Sequence, residues 1–365
     1  MQTDPDRSPS LLFGITGTGV LHLPGDNPDV DTRFAMVRDA GVFDYYDRTP
    51  PTGELDAYRR ASEKYALPLL AGGFFYTVGR DEPLLEWHLR TAAESGTRVQ
   101  NVQLMTLHAS GRPVTDDEVA AAYLQACETG DRLGVAVCLE VHVNMWSEHF
   151  GRIREVADIV AGCGGRFRLT LDASHVIFKI DNPAEQDVQG LRSDVESGRI
   201  VLDPFSPESV SGGWIRAGFV AHAHARPAVP ANPRNVWGRH PDGQIGRGIQ
   251  YPFRRPGPGE WHSPWDEERL EPWKEVMRQL LAHHASDPQS PLQMISTEII
   301  PFADYGAGAR YSLFDDSVAL VSWLRGEWAA AQAKAARVSR ARSARAEAPP
   351  TPPVVPPERN GRSRR

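Results

Sequence analysis

Cysteine is nearly missing: Cys127, Cys138 and Cys163 are the only three in a chain of 365 residues. None stands in a CxxC pair. The sequence therefore holds neither a disulfide framework nor a zinc–thiolate motif, and it fits a reducing cytoplasm. No stretch approaches the ~18 uncharged apolar residues that a membrane helix needs. The first ten residues, MQTDPDRSPS, lack the apolar run of a secretory signal. Positive charge is scarce outside one end. Residues 334–365 carry nine Lys or Arg against two Glu, so with a chain total of −7 residues 1–333 carry about −14. An acidic body repels nucleic acid, which makes a nucleic-acid partner an unfavourable reading.

Strand-like runs alternate with helix-like runs. Strands are expected at 11–17, 42–46, 68–75, 99–105, 135–144, 168–174, 219–225 and 293–300. Amphipathic helices are expected at 31–40, 54–65, 82–95, 116–133, 149–162 and 266–285. Eight βα repeats predict an α/β fold, a closed (β/α)8 TIM barrel, with a doubly wound open sheet as the alternative. The chain divides into a flexible N-terminus (1–10), a barrel catalytic domain (11–330), and a helical extension with a disordered Arg/Pro-rich tail (331–365). Residues 183–214 read as a long βα connection. Residues 226–265, rich in Pro, Gly, Arg and aromatics, form a long loop after the seventh strand, placed over the C-terminal face where barrel active sites sit.

Alternation sorts the faces of each strand. In the fifth, Val135, Val137, Leu139, Val141 and Val143 turn to the helices, and Glu140, His142 and Asn144 turn inward. In the sixth, Thr170, Asp172 and Ser174 share a face. In the seventh, Ala221, Ala223 and Ala225 turn outward, with His222, His224 and Arg226 inside. In the eighth, Ser296, Glu298 and Ile300 share a face. Four neighbouring strands thus each direct a potential metal ligand inward near the C-terminal end. Unpaired buried carboxylates cost several kcal/mol each. A divalent cation neutralises Glu140, Asp172 and Glu298 better than Arg168 and Arg226 can. A hydrogen-bonded network with protonated histidines is the competing explanation. Oxygen and imidazole donors without thiolate suit Mn²⁺, Mg²⁺, Co²⁺ or Zn²⁺, and three carboxylates favour Mn²⁺.

The segments LEVHVNMW, LDASH, HAHA and STEII resemble the xylose isomerase-like barrel superfamily of sugar isomerases and epimerases. So does GRGIQYPF, at 246–253, which resembles the Gly-rich stretch of ketose 3-epimerases. The resemblance spans residues 11–328. It implies one divalent metal on Glu140, Asp172, His224 and Glu298, with His175 touching substrate. It also implies that Glu140 and Glu298 act as acid and base on either side of a sugar carbon. One departure is Pro230, where these epimerases carry an Arg; Arg226 and Arg234 are the nearby alternatives. The long insertion after the seventh strand is another.

The expected chemistry is proton abstraction next to a sugar carbonyl, with the metal stabilising the developing enediolate. His142 is a further candidate base, or a residue that orients the ligands. His222, Arg226, Asn144, Trp146 and His108 are the remaining candidates for contact with a small sugar or glycoside. A second reading is the catalytic subunit of a metal-dependent lyase that cleaves 3-keto C-glycosides. Glu140 with His142 supports it, as does an aglycone pocket built from Trp237, Tyr251, Phe253, Trp261 and Trp265. Such a lyase pairs with a small β-rich partner subunit; a homo-oligomer is the other assembly to expect. An abasic-site endonuclease fits less well, because it needs extra His ligands and must bind DNA, and a non-enzymatic binding barrel is the last alternative. His283 and His284 read as solvent-facing.

Overall fold

The structure, a computed structural model, describes residues 10–21 and 27–346. Eight parallel strands close on themselves in the order β1 (Leu12–Thr16), β10 (Met294–Thr297), β7 (Val220–Ala225), β6 (Leu169–Asp172), β5 (Ala136–Glu140), β4 (Val99–Leu104), β3 (Leu69–Tyr76) and β2 (Tyr45–Asp47). The closed (β/α)8 barrel stands, and the open sheet is excluded. Around it run α1 (Val30–Ala40), α2 (Leu55–Tyr65), α3 (Glu82–Glu94), α4 (Asp116–Leu133), α5 (Phe150–Gly162) and α10 (Glu271–Ser286).

Local chemistry explains these boundaries. Thr115 and Glu118 form a reciprocal capping box that starts α4, and Gly134, at φ +75°, ends it in the left-handed region that glycine enters freely. Strand β5 stops at Glu140, sooner than the run of alternating residues suggested. The Ser147 hydroxyl explains this: it donates to the Glu140 carbonyl at 2.6 Å and accepts the His142 N–H at 3.2 Å. Asn144 then turns the chain at φ +62°.

Outward faces of the strands pack on the helices in one large core. Inside the barrel, Tyr45, Leu70, Ala71, Val99, Cys138, Ala221 and Met294 form a separate apolar plug. Barrels of this type are packed cores rather than pores, so the polar cluster above the plug sits on a dry floor. Ala221 was expected on the helix side. A register shift between β6 and β7 pairs Leu169 with Val220 and Thr170 with His222, which turns Ala221 inward.

The connection after β6 contains four short helices: α6 (Ser174–Ile177), α7 (Pro183–Asp187), α8 (Arg192–Glu196) and α9 (Val210–Arg216). The insertion after β7 folds as an antiparallel pair, β8 (Asn235–Arg239) with β9 (Ile245–Gly246), followed by an aromatic stretch. Some of its aromatics pack on the barrel. Tyr251 is fully buried, Trp261 stands edge-on to it, and Phe253 packs on Trp273 and Trp323 of the outer helices. Of the five rings expected to form an aglycone pocket, Tyr251 is buried, while Trp237, Phe253, Trp261 and Trp265 are half-buried.

Helix α11 (Leu313–Ala346) buries Leu320, Val321, Leu324 and Trp328, then continues with mostly exposed residues across position 330. His284 is not solvent-facing; it is buried and stacked on Trp328. Among the described residues no helix is long and apolar enough to cross a membrane. Residues 1–9 of the expected flexible N-terminus and residues 347–365 of the expected tail lie outside the described residues.

Candidate metal centre

Glu140 and Asp172 end their strands, His224 is next to last in β7, and Glu298 is the first residue after β10. Parallel register sets His224 beside both Asp172 and Ser296. The four ligand atoms consequently lie within 4.8 Å of one another. His224 Nδ1 is 2.8 Å from Glu140 Oε1 and 3.1 Å from Glu298 Oε2. Asp172 Oδ2 is buried without a hydrogen bond, 3.4 Å from His175 Nε2 and 2.9 Å from Arg226 Nη1.

Arg226 carries more of the balance than its sequence position implied. It is fully buried, pairs with Asp172 and Glu298, and lies with its guanidinium carbon 4.2 Å from the centre of the Tyr305 ring. One guanidinium still faces three carboxylates. Burial pushes the Asp172 carboxyl up to about 7 against the pull of Arg226. Burial also acts on Glu298, but His224 and Arg226 overcome it and hold that carboxyl at about 2. Glu140 is lowered in the same way, with His224 outweighing burial. Burial disfavours the charged His224 ring, yet Glu298 and Glu140 together hold its pKa well above the ordinary histidine value. The surrounding carboxylates thus favour the protonated imidazole over the neutral one.

The other expected residues scatter. His142 lies against the cluster: its ring is 4.3 Å from that of His175, and its Nε2 is 3.3 Å from the Tyr305 hydroxyl. His175 Nε2 is 3.1 Å from Arg226 Nη1. His222 sits below, its ring nitrogens taken by Thr170 at 3.3 Å and Ser296 at 3.2 Å. The three further candidates for substrate contact lie as follows. Trp146 is buried in the outer core, because the turn after Glu140 carries it away from the barrel axis. Asn144 is exposed, and its Oδ1 accepts from Arg247 at 3.2 Å. His108 closes a tight turn onto Ser110 and abuts Gly79.

Sequence reasoning missed several partners. Asn101 Nδ2 donates to Glu140 Oε2 at 2.5 Å, and Gln103 donates to the same oxygen. The polar residues alternating in VQNVQL were the available signal. Asp47, at the end of β2, lies 3.6 Å from His224 Nε2. Tyr305 comes from a loop with no periodicity to reveal it. A second buried group lies beside the site. Glu148 meets Lys179 at 2.9 Å and Arg247 at 2.6 Å, and Arg247 also reaches Glu185 at 2.5 Å. This group ties the insertion after β7 to the turn after β5.

No protein-family model matches the sequence, and no curated protein matches it. Solved structures do match in shape. D-allulose 3-epimerase from Methylomonas sp., in complex with D-allulose, aligns with a TM-score of 0.53 at 11% identity, over 88% of this chain and 100% of that one. D-psicose 3-epimerase from Clostridium cellulolyticum H10, solved with D-tagatose, gives 0.52 at 13% identity, over 87% and 99%. A xylose isomerase-like TIM barrel protein from Mycobacterium smegmatis, in complex with magnesium, gives 0.50 at 9% identity, over 87% and 97%. The fold these structures share with this chain is a closed (β/α)8 TIM barrel. At these identities the likeness is one of fold, and the side chains must carry any statement about chemistry. In this barrel the donor set is three carboxylates and one imidazole with too little positive charge around it. A buried Asp172 oxygen without a hydrogen bond and a small spread of ligand atoms fit a hard divalent ion.

Proposed function

We propose that this protein is a metal-dependent isomerase or epimerase that moves a proton next to the carbonyl of a sugar. The observation that carries the reading is the convergence of Glu140, Asp172, His224 and Glu298 within 4.8 Å, from four neighbouring strands, at the C-terminal mouth. The epimerases among its structural neighbours support the substrate class. Glu140, Asp172, His224 and Glu298 would hold one divalent ion, with Mn²⁺ the best match to a donor set dominated by carboxylate. That ion, when bound, supplies a Lewis acid for a substrate carbonyl.

The chain's own residues divide the remaining work. Asn101 and Gln103 fix Glu140 from one side, and Arg226 fixes Glu298 from the other. Two separately anchored carboxylates can remove a proton and return one at a different face or carbon. Glu298 retains slight exposure while Glu140 has none, so Glu298 is the carboxylate that incoming substrate meets first. His142 and His175, tilted against each other beside the cluster, are placed to hold substrate hydroxyls, and Arg226 offsets the repulsion between Asp172 and Glu298.

Elimination from a 3-keto C-glycoside would use the same base. The epimerases among the structural neighbours favour isomerisation as the first reading. The test is metal analysis of the purified protein, followed by assay on a panel of ketoses and aldoses with a 3-keto C-glycoside alongside. Interconversion of sugars by the metal-loaded protein is the expected result. Release of aglycone without sugar interconversion would replace this reading with the lyase.

A further inference from the structure

Asp47, which the proposed reaction does not use, is buried and forms a group with His222 and the proposed ligand His224. Asp47 Oδ2 accepts a hydrogen bond from Ser296 Oγ at 2.5 Å, and Ser296 is bonded to the Tyr45 hydroxyl at 2.7 Å. The same carboxylate oxygen is 3.6 Å from His224 Nε2, which is buried and has no hydrogen-bond partner among the described residues. The opposite ring nitrogen, Nδ1, faces Glu140 and Glu298. The His224 ring therefore stands between two sets of anions, with one nitrogen turned to each.

We infer that Asp47 is the positioning residue for His224, an anchor on Nε2 that aims the Nδ1 lone pair into the carboxylate cluster. The inference rests on the metal site proposed above and assigns a role to a residue outside it. An imidazole binds a cation through an unprotonated nitrogen, so its proton must reside on the other one. Asp47 is the anion facing that other nitrogen, and Ser296 and Tyr45 fix its carboxylate. Carboxylates placed behind metal-binding histidines fix the ring and strengthen it as a donor, and their loss typically costs about 10–100-fold in metal affinity. His222 Nε2 lies 3.7 Å from the same Asp47 oxygen, but its two nitrogens are already engaged by Thr170 and Ser296, whereas His224 Nε2 has no other partner among the described residues.

The test compares wild type, Asp47→Asn and Ser296→Ala for Mn²⁺ affinity by chelator competition, and for the visible spectrum of the Co²⁺-loaded protein. Asp316→Asn, which alters a buried carboxylate on α11 paired with Arg254, controls for general destabilisation. Asp47→Asn should weaken Mn²⁺ binding by about 10–100-fold and shift the Co²⁺ bands. Ser296→Ala should give a smaller change in the same direction, and Asp316→Asn should move neither readout. If wild type binds Mn²⁺ and folded Asp47→Asn binds it equally tightly with an unchanged Co²⁺ spectrum, the assignment of Asp47 is wrong and the metal site survives. If wild type itself retains neither ion, the metal site fails and the anchor with it.

Discussion

Two buried charged clusters lie side by side near the mouth of this barrel, and they differ in one respect. In the first, Asp47, Glu140, Asp172 and Glu298 face a single permanent cation among the described residues, Arg226. In the second, Glu148 and Glu185 face Lys179 and Arg247, two charges against two. Balanced burial needs nothing further and serves to fasten the insertion to the barrel. Anion excess is costly unless a further cation arrives. On the proposed reading, the difference separates a cluster that holds a ligand from one that holds the chain.

The largest effect should follow from removing a carboxylate of the unbalanced cluster. Glu298→Gln should lower turnover by about 10²–10⁴-fold, the range for loss of a general acid or base. Bound metal should fall with it, while circular dichroism shows a folded protein. Full activity in Glu298→Gln would break the distinction at its centre. Removing a cation from the balanced cluster should act on stability. Lys179→Met leaves a wholly buried Glu148 with only Arg247 opposite, and breaking such a pair costs about 3–5 kcal/mol. Denaturant unfolding should show that loss with and without metal alike.

How much of this contrast was legible depends on periodicity. Alternation placed Glu140, Asp172 and His224 inward, because a strand buried on both faces can admit polar residues only toward a shared site. It also placed Glu298, although that residue lies just beyond its strand. Asp47 escaped, since β2 has only three residues, too short a run to show which of Asp44 and Asp47 turns in. Arg226 was visible as an inward residue, but its two carboxylate partners depend on how β6, β7 and β10 come together. Tyr305, Arg247 and Glu148 lie outside the barrel strands, where chain direction follows tertiary packing. The aromatics of the insertion show the same limit: composition identifies a Trp, and only packing shows that Tyr251 is buried while Trp237, Phe253, Trp261 and Trp265 stay half-buried.

Metal itself provides the next test of the contrast. Mn²⁺ at 100 times its dissociation constant should stabilise wild type by about 2.7 kcal/mol, and a chelator should reverse it. Lys179→Met should keep that increment on its lowered baseline, whereas Glu298→Gln should lose most of it. An increment lost in Lys179→Met would mean that the two clusters act as one.

The smallest effect concerns histidines, and it isolates what neighbouring charge does to a buried ring. His224, among carboxylates, is raised well above the ordinary value. His284, stacked on Trp328 and bonded to Ser290 at 3.0 Å, has only a weak pull from Asp287 to set against burial, which lowers it from 6.5 to about 4. A base whose folded pKa is depressed binds fewer protons than the unfolded chain. Its contribution is fully present above pH 6.5 and drains away as pH falls toward 4. Each tenfold loss of proton affinity is worth roughly 1.4 kcal/mol, so partial hydration of the ring leaves a loss on the order of 2 kcal/mol across that window. His284→Gln should flatten the acid limb of a plot of stability against pH measured with urea, leaving the metal increment at pH 7.5 unchanged. An acid limb identical to wild type would show that the ring is already protonated in the folded protein, and that burial without a strong neighbouring anion does not expel the proton.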